Sequence, residues 1–290
     1  MSSSQGTSVC IDAGSQFCPC VLADLGECIA CSLLKGESLC NCSWSGVCVY
    51  SEYLWAGKRS LPPRSEYRLE VVDVRRESKS LIVFTLGIPE SLSRDLSDPG
   101  SFLFLRPPDT RQCFGAPISV MDAWDRGAKF AVQVMGPKTK ALEGVSDALI
   151  ARGPYWNGVF GVNRLRRLRN SMALIVARGV GQGPGLHVAR RLLAAGNSVT
   201  VAALPGGSVD GVFIAGDLER LGIPLVYVSR DSAPTDALGT LLQRGFDLVH
   251  SSGPDSQHRW VASMIRASGR DVVLTVSNNS IMCCGDGVCG

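Results

Sequence analysis

The sequence predicts a multidomain chain: a small antiparallel β-barrel, then an α/β doubly wound parallel sheet, with cysteine-rich segments at both ends. Three observations carry that expectation. Short alternating apolar segments, punctuated by Gly, Pro and Asp, fill residues 64–165. Strand and helix patterns alternate over 166–280. Of 12 cysteines, eight lie in the first 48 residues, three in the last eight, and only Cys113 between them.

Residues 1–57 are rich in Cys, Gly and Ser with little periodicity, so this segment needs a metal to order it. Lys58–Pro63 reads as a basic, proline-containing linker. In 64–165 the expected strands are 67–74, 80–86, 101–105, 118–120 and 129–135, separated by Asp98-Pro-Gly100, Arg106-Pro-Pro-Asp109 and Gly136-Pro137. In 166–280 the expected strands are 172–177, 198–204, 224–229, 246–250 and 271–276. Helices are expected between them at 185–195, 212–221, 235–244 and 255–267. Residues 281–290 form a separate cysteine tail.

Composition and charge exclude several classes. With 45% hydrophobic and 19% charged residues, the 290-residue chain is globular rather than disordered. Its apolar runs are far below the ~20 residues of a membrane helix. The net charge of +3 is too mild and dispersed for a nucleic-acid protein. The N-terminus has neither a basic nor an apolar leader region, so a cytoplasmic chain with reduced thiols is expected. Arg164, Arg166, Arg167 and Arg169 form one basic cluster, either a solvated connector or a contact for phosphate or an acidic partner.

The chemistry-bearing motif of the third segment is Arg178-Gly-Val-Gly-Gln-Gly-Pro184-Gly185, directly after a predicted strand and before an amphipathic helix. Glycines allow a tight strand-to-helix turn and close approach of a pyrophosphate, and the helix start offers free N–H groups. The glycines fall at 179, 181, 183 and 185, which is not the G-x-G-x-x-G spacing of a dehydrogenase. The second strand closes without an acidic residue, leaving NADH and NADPH undistinguished. The histidines at 187, 250 and 258 are scattered and read as structural.

The order of barrel then nucleotide domain, with the wording of these motifs, resembles the ferredoxin–NAD(P)H reductase superfamily over 64–290. The likeness is greatest to electron-transfer subunits of the dihydroorotate dehydrogenase type. The segment 116–120, Ala-Pro-Ile-Ser-Val, is similar to the family's flavin-contacting strand. The stretch 132–139 is similar to the strand and turn that hold the FAD ribityl-pyrophosphate, and 153–160 to the segment closing the barrel. The 178–184 turn matches the nicotinamide-side turn, and Ser252-Gly-Pro254 a late Cys-Gly-Pro motif. The resemblance implies FAD bound through Pro117, Ile118, Ser119, Val132, Gln133, Lys138 and Thr139. It implies NAD(P) bound through Gly179, Gly181, Gly183, Pro184, Gly253 and Pro254. Hydride transfer between these cofactors needs no side-chain acid or base, so no catalytic residue is expected.

This sequence departs from the family pattern at three positions. Ala116 stands where an arginine meets the flavin pyrophosphate, so Arg111, Lys138 or Lys140 would have to serve. Arg178 stands for the first glycine of the nicotinamide turn, and Ser252 for a cysteine. The tail spacing Cys284-x4-Cys289 matches the opening of a plant-type iron–sulfur run. Its third cysteine would fall at position 292 of this 290-residue sequence. Cys18, Cys20, Cys28, Cys31, Cys40, Cys42 and Cys48 offer thiolates for an iron–sulfur cluster or zinc, and their spacing does not name the metal.

The expected function is a flavin- and iron–sulfur-dependent oxidoreductase subunit passing electrons between NAD(P)H and a partner redox protein in a hetero-oligomer. Two alternatives stand beside it. One is a cofactor-degenerate homologue acting as a docking subunit of a redox complex. The other is a zinc-stabilised nucleotide-sensing regulator.

Overall fold

The structure, a computed structural model, describes residues 10, 12, 16–41, 47–204, 211–228 and 235–279. The chain divides into two compact units, meeting in sequence between Ser65 and Glu66. In the first, α1 (Val21–Asp24) and α2 (Val49–Trp55) are short, and a 3-10 turn spans Leu33–Lys35. Cys18, Ala23, Cys28, Cys31, Leu34 and Val49 form its small core. A buried ion pair joins Arg64 to Asp12, and the Arg64 guanidinium lies 4.0 Å from the centre of the Phe17 ring.

The second unit begins with a closed antiparallel barrel. Its strands are β1 (Glu66–Ser78), β2 (Leu81–Gly87), β3 (Phe102–Arg106), β4 (Ala116–Trp124), β5 (Gly127–Gln133) and β6 (Ala148–Tyr155), in the order β1-β2-β5-β4-β3-β6. Two short helices, α3 (Glu90–Leu96) and α4 (Pro137–Lys140), lie between them in sequence. β6 closes the barrel, pairing with β1 from Glu66↔Arg152 to Glu70↔Ala148 and with β3 on its other edge. The sequence pattern predicts no strand over 148–155. Its residues are buried almost throughout, so there is no polar alternation to recognise.

A six-stranded sheet follows, with β7 (Val159–Phe160), β8 (Met172–Arg178), β9 (Ser198–Leu204), β10 (Leu225–Tyr227), β11 (Leu248–Ser252) and β12 (Val273–Ser277) in the order β10-β9-β8-β11-β12-β7. β8 to β12 pair in parallel, but β7 runs antiparallel at the edge. The expectation of a wholly parallel sheet is corrected there: two residues leaving the barrel add an edge strand too short to show a pattern.

α5 (Val162–Arg167) carries much of the arginine cluster. α6 (Gln182–Ala194), α7 (Ala215–Arg220), α8 (Thr235–Leu242) and α9 (Asp255–Ser268) alternate with the strands. Strand pleating divides β8 between two cores. Ala173, Ile175 and Ala177 face α6 and α7, whereas Leu174 and Val176 face α8 and α9.

The barrel and sheet share the first of these cores. Leu81, Val83, Met121 and Ala131 of the barrel pack with Leu186, Ala189 and Leu192 of α6. Polar contacts pin the same seam: Arg190 Nε lies 3.0 Å from Asp122 Oδ1, and His187 Nε2 lies 3.1 Å from the Asp98 carbonyl. A carbonyl only accepts, so His187 donates from Nε2. Burial lowers the His187 pKa to about 4, which keeps the ring neutral in this contact at pH 7.

Candidate functional site

The chain leaves β8 for β9 on one side and returns to β11 on the other, so the β8–β11 gap is a topological switch point. Ligands of open α/β sheets bind beyond the carboxyl ends of strands at such points. A cleft of about 780 Å³ opens there, lined by the ends of β8, β11 and β12 and by β4, β5 and Thr139 of the barrel. Small-molecule sites typically span ~300–1,000 Å³.

The turn after β8 is built by two glycines for different reasons. Gly179 has φ +58 and nothing within 4 Å of where a Cβ would stand, so backbone conformation selects glycine and leaves the turn open to approach. Gly181 has an ordinary right-handed backbone, φ −60 and ψ −14. A Cβ there would meet the Ser252 carbonyl oxygen at 2.6 Å, so close packing selects glycine. Residues 179–181 form a 3-10 turn that runs directly into α6, three residues earlier than the predicted helix start.

The opposite wall is held by a polar network. Ser252, fully buried, donates from Oγ to the Gly181 carbonyl at 2.7 Å. Gln257 Nε2 donates to the Val176 carbonyl at 2.9 Å. His258 joins Ser251 Oγ at 2.8 Å and the Ser277 carbonyl at 3.0 Å through its two ring nitrogens. Burial holds the His258 pKa below the ordinary imidazole range. Asn279 Nδ2 donates to the Gly253 carbonyl at 2.7 Å and to Asp255 Oδ1 at 3.0 Å. The segments after β11 and β12 are thereby tied into one rim. On the barrel side, Thr139 Oγ1 accepts from the N–H groups of Met135 and Gly136, at 3.0 and 3.2 Å.

Of the residues expected at the cofactors, Pro117, Ile118, Ser119, Gln133, Thr139, Gly179, Gly181, Pro184, Gly253 and Pro254 line the cleft. Val132, Lys138 and Gly183 do not. Val132 points into the barrel core, fully buried, because its neighbour Gln133 takes the outward face of β5. Gly183 lies in the first turn of α6 on its barrel-facing side, where a Cβ would meet Ala131 Cβ at 3.3 Å. Lys138 is half-buried on α4. Ala116 is 2% exposed within the barrel core.

Sequence reasoning missed Ser277, Asn278 and Asn279, which line the cleft at the end of β12 and just beyond it. A polar triplet closing an apolar strand was the available signal, since the carboxyl ends of parallel strands face the ligand.

The cysteines are placed unevenly. Cys18, Cys28 and Cys31 are buried, Cys20 is half-buried, and Cys40, Cys48 and Cys113 are exposed. Burial, the larger cause, and the nearby Asp12 carboxylate and Cys28 raise the Cys20 pKa against the lowering effect of backbone hydrogen bonds. Among the described residues, no three Cys, His, Asp or Glu side chains converge to hold a metal ion. Cys42, Cys284 and Cys289 lie outside the described residues. No helix among the described residues is long and apolar enough to cross a membrane.

No protein-family model matches this sequence, and no curated protein matches it. Solved structures do match in fold. An NADH-dependent reduced ferredoxin-NADP oxidoreductase, described for flavin-based electron bifurcation, aligns with TM-score 0.60 and 22% identity over 77% of this chain and 80% of its own. The Amycolatopsis cytochrome P450 reductase GcoB aligns with TM-score 0.55 and 17% identity, covering 74% of this chain and 71% of its own. The ferredoxin reductase of carbazole 1,9a-dioxygenase aligns with TM-score 0.55 and 15% identity, over 75% and 70%. The closed barrel followed by a second sheet is the arrangement of the ferredoxin-reductase fold.

Proposed function

We propose that this chain is an FAD-dependent reductase that takes electrons from NADH or NADPH and passes them to a partner redox protein. The observation that carries the reading is the cleft itself. It brings Pro117–Ser119, Gln133 and Thr139 of the barrel together with Gly179, Gly181, Pro184, Gly253 and Pro254 of the sheet. The chain also fits an extended ligand backbone: Gly136 and Gly179 have nothing within 4 Å of a Cβ position, and α6 and α9 both start at the cleft.

Bound flavin would supply the two-electron to one-electron chemistry. The chain's own part is to hold both cofactors in register. The barrel strands β4 and β5 present Ile118, Ser119 and Gln133 to the flavin. The 179–181 turn and the 253–256 segment receive the pyridine nucleotide. The seam residues Asp98, Asp122, His187 and Arg190 fix the distance between the two halves.

Within this reading, the finer likeness to dihydroorotate dehydrogenase electron-transfer subunits and a role for the cysteines as an onward carrier rest on sequence. The described cysteines do not form a ligand set, so no transfer step is assigned to them.

Anaerobic purification with flavin, iron and zinc quantified together tests the proposal. Visible flavin absorbance that bleaches on addition of NADH or NADPH supports it, and its absence refutes it. Iron in stoichiometric amount restores the cysteine module to the electron pathway; zinc, which has no redox chemistry, makes it a structural site, and finding neither metal removes it. The burial of Ala116 in place of an arginine favours one second reading, a docking subunit without cofactor, for which the flavin content would be nil.

A further inference from the structure

We propose that Arg178 is the phosphate anchor of the cleft, its guanidinium binding the pyrophosphate of an adenine dinucleotide. The inference rests on the flavin and pyridine-nucleotide reading and adds the residue and the ligand group it holds.

Charge is the first argument. Among the described residues lining the cleft, Arg178 is the only basic side chain and Asp255 the only acidic one. Asp255 is engaged by Asn279 Nδ2 at 3.0 Å. The remaining lining is glycine, proline, aliphatic or neutral polar. A pyrophosphate brings two negative charges into the cleft, and losing their hydration without a fixed cation is costly. Arg178 is the one side chain of this described lining that can supply that cation.

Position is the second argument. Arg178 is the last residue of β8, with an extended backbone of φ −147 and ψ 140. Its predecessor Ala177 turns fully into the core, so the alternation of the strand sends Arg178 to the other side, where it lines the cleft. The next residues form the open turn at Gly179 and then the start of α6, a helix of 13 residues. A phosphate in reach of that helix start is also in reach of the side chain that precedes it. The planar guanidinium offers paired N–H donors matched to two phosphate oxygens, which lysine does not.

Arg178 is also the residue whose bulk would obstruct a ligand if it were not a ligand contact, so the two readings predict opposite signs. The full-length chain and its Arg178→Ala, Arg178→Lys and Arg178→Gly variants are compared by calorimetric titration with NADH, NADPH and, after flavin removal, FAD. Thermal melting checks that each variant is folded.

A loss of at least tenfold in affinity for one dinucleotide in Arg178→Ala, about 1.4 kcal/mol, is expected. Arg178→Lys should recover part of it, and the variant's affinity should depend less on salt. The dinucleotide that weakens identifies whose pyrophosphate is held. Affinities unchanged for all three ligands, or tighter binding in Arg178→Gly, overturn the inference while leaving the functional reading intact. A wild-type chain that binds none of the three overturns both.

Discussion

Replacing Gly181 with alanine adds one methyl group where backbone already stands. The new Cβ would lie 2.6 Å from the Ser252 oxygen, 2.7 Å from its carbonyl carbon and 2.9 Å from the Gly253 nitrogen. Ordinary contact begins near 3.4 Å, so the turn and the end of β11 must separate by about 0.8 Å. That movement stretches the 2.7 Å hydrogen bond from Ser252 Oγ to Gly181 beyond useful length. Overpacking of this kind costs ~1–3 kcal/mol, and the lost hydrogen bond adds ~1 kcal/mol. Urea denaturation of Gly181→Ala should therefore show a loss of ~2–4 kcal/mol, with pyridine-nucleotide affinity falling alongside. Gly179→Ala is the comparison. Its φ of +58 strains alanine, but nothing stands in the way of a Cβ, so the cost should be only ~1–2 kcal/mol. A Gly181→Ala protein that unfolds at the wild-type urea midpoint refutes the reasoning, as does one no less stable than Gly179→Ala.

Three further expectations follow from the seam and the wall. Ser252→Ala leaves the Gly181 carbonyl without its donor and should lose ~1–3 kcal/mol in the same assay. Burial raises the Asp122 pKa despite the opposing Arg190; Asp122→Asn should thus stay within ~1 kcal/mol of wild type. Arg190→Ala strands a buried carboxylate and should cost more, so equal losses would count against the pair's assignment. The His187 pKa is about 4 when folded and 6.5 ordinarily, so the unfolded chain takes up the proton first. Its contribution is whole above pH 6.5 and falls away as pH drops toward 4, by up to about 3 kcal/mol. Unfolding profiles of wild type and His187→Gln that run parallel between pH 7 and 4 would exclude it.

Much of this architecture was legible because its signals are local. The strand at 172–178, the glycine turn and the helices near 185–195 and 255–267 each announce themselves within a dozen residues. What stayed hidden is non-local. β6 is buried on both faces and lacks alternation, and β7 is two residues long, so pairing partners far away in sequence decide both. At the site, motif wording found the glycines and prolines that line the cleft, but not which side of each residue faces it. Val132 and Gln133 are adjacent, yet one enters the core and the other the cleft, a matter of strand phase. Gly183 carried the same glycine signal as Gly181, but the barrel, not a ligand, requires it. The seam ties through Asp98, Asp122 and Arg190 left no trace in any motif.

The shared core at that seam decides how this protein could be recombined. Leu81, Val83, Met121 and Ala131 are barrel residues whose apolar partners belong to α6. A chimera that grafts this barrel onto another sheet would carry four unmatched surfaces to the junction, leaving either a hole or a collision. The unit that can be exchanged is therefore the barrel together with the helix laid across it. A cut placed at Leu168–Asn170, between α5 and β8, looks natural along the chain, yet it separates residues that fold as one body.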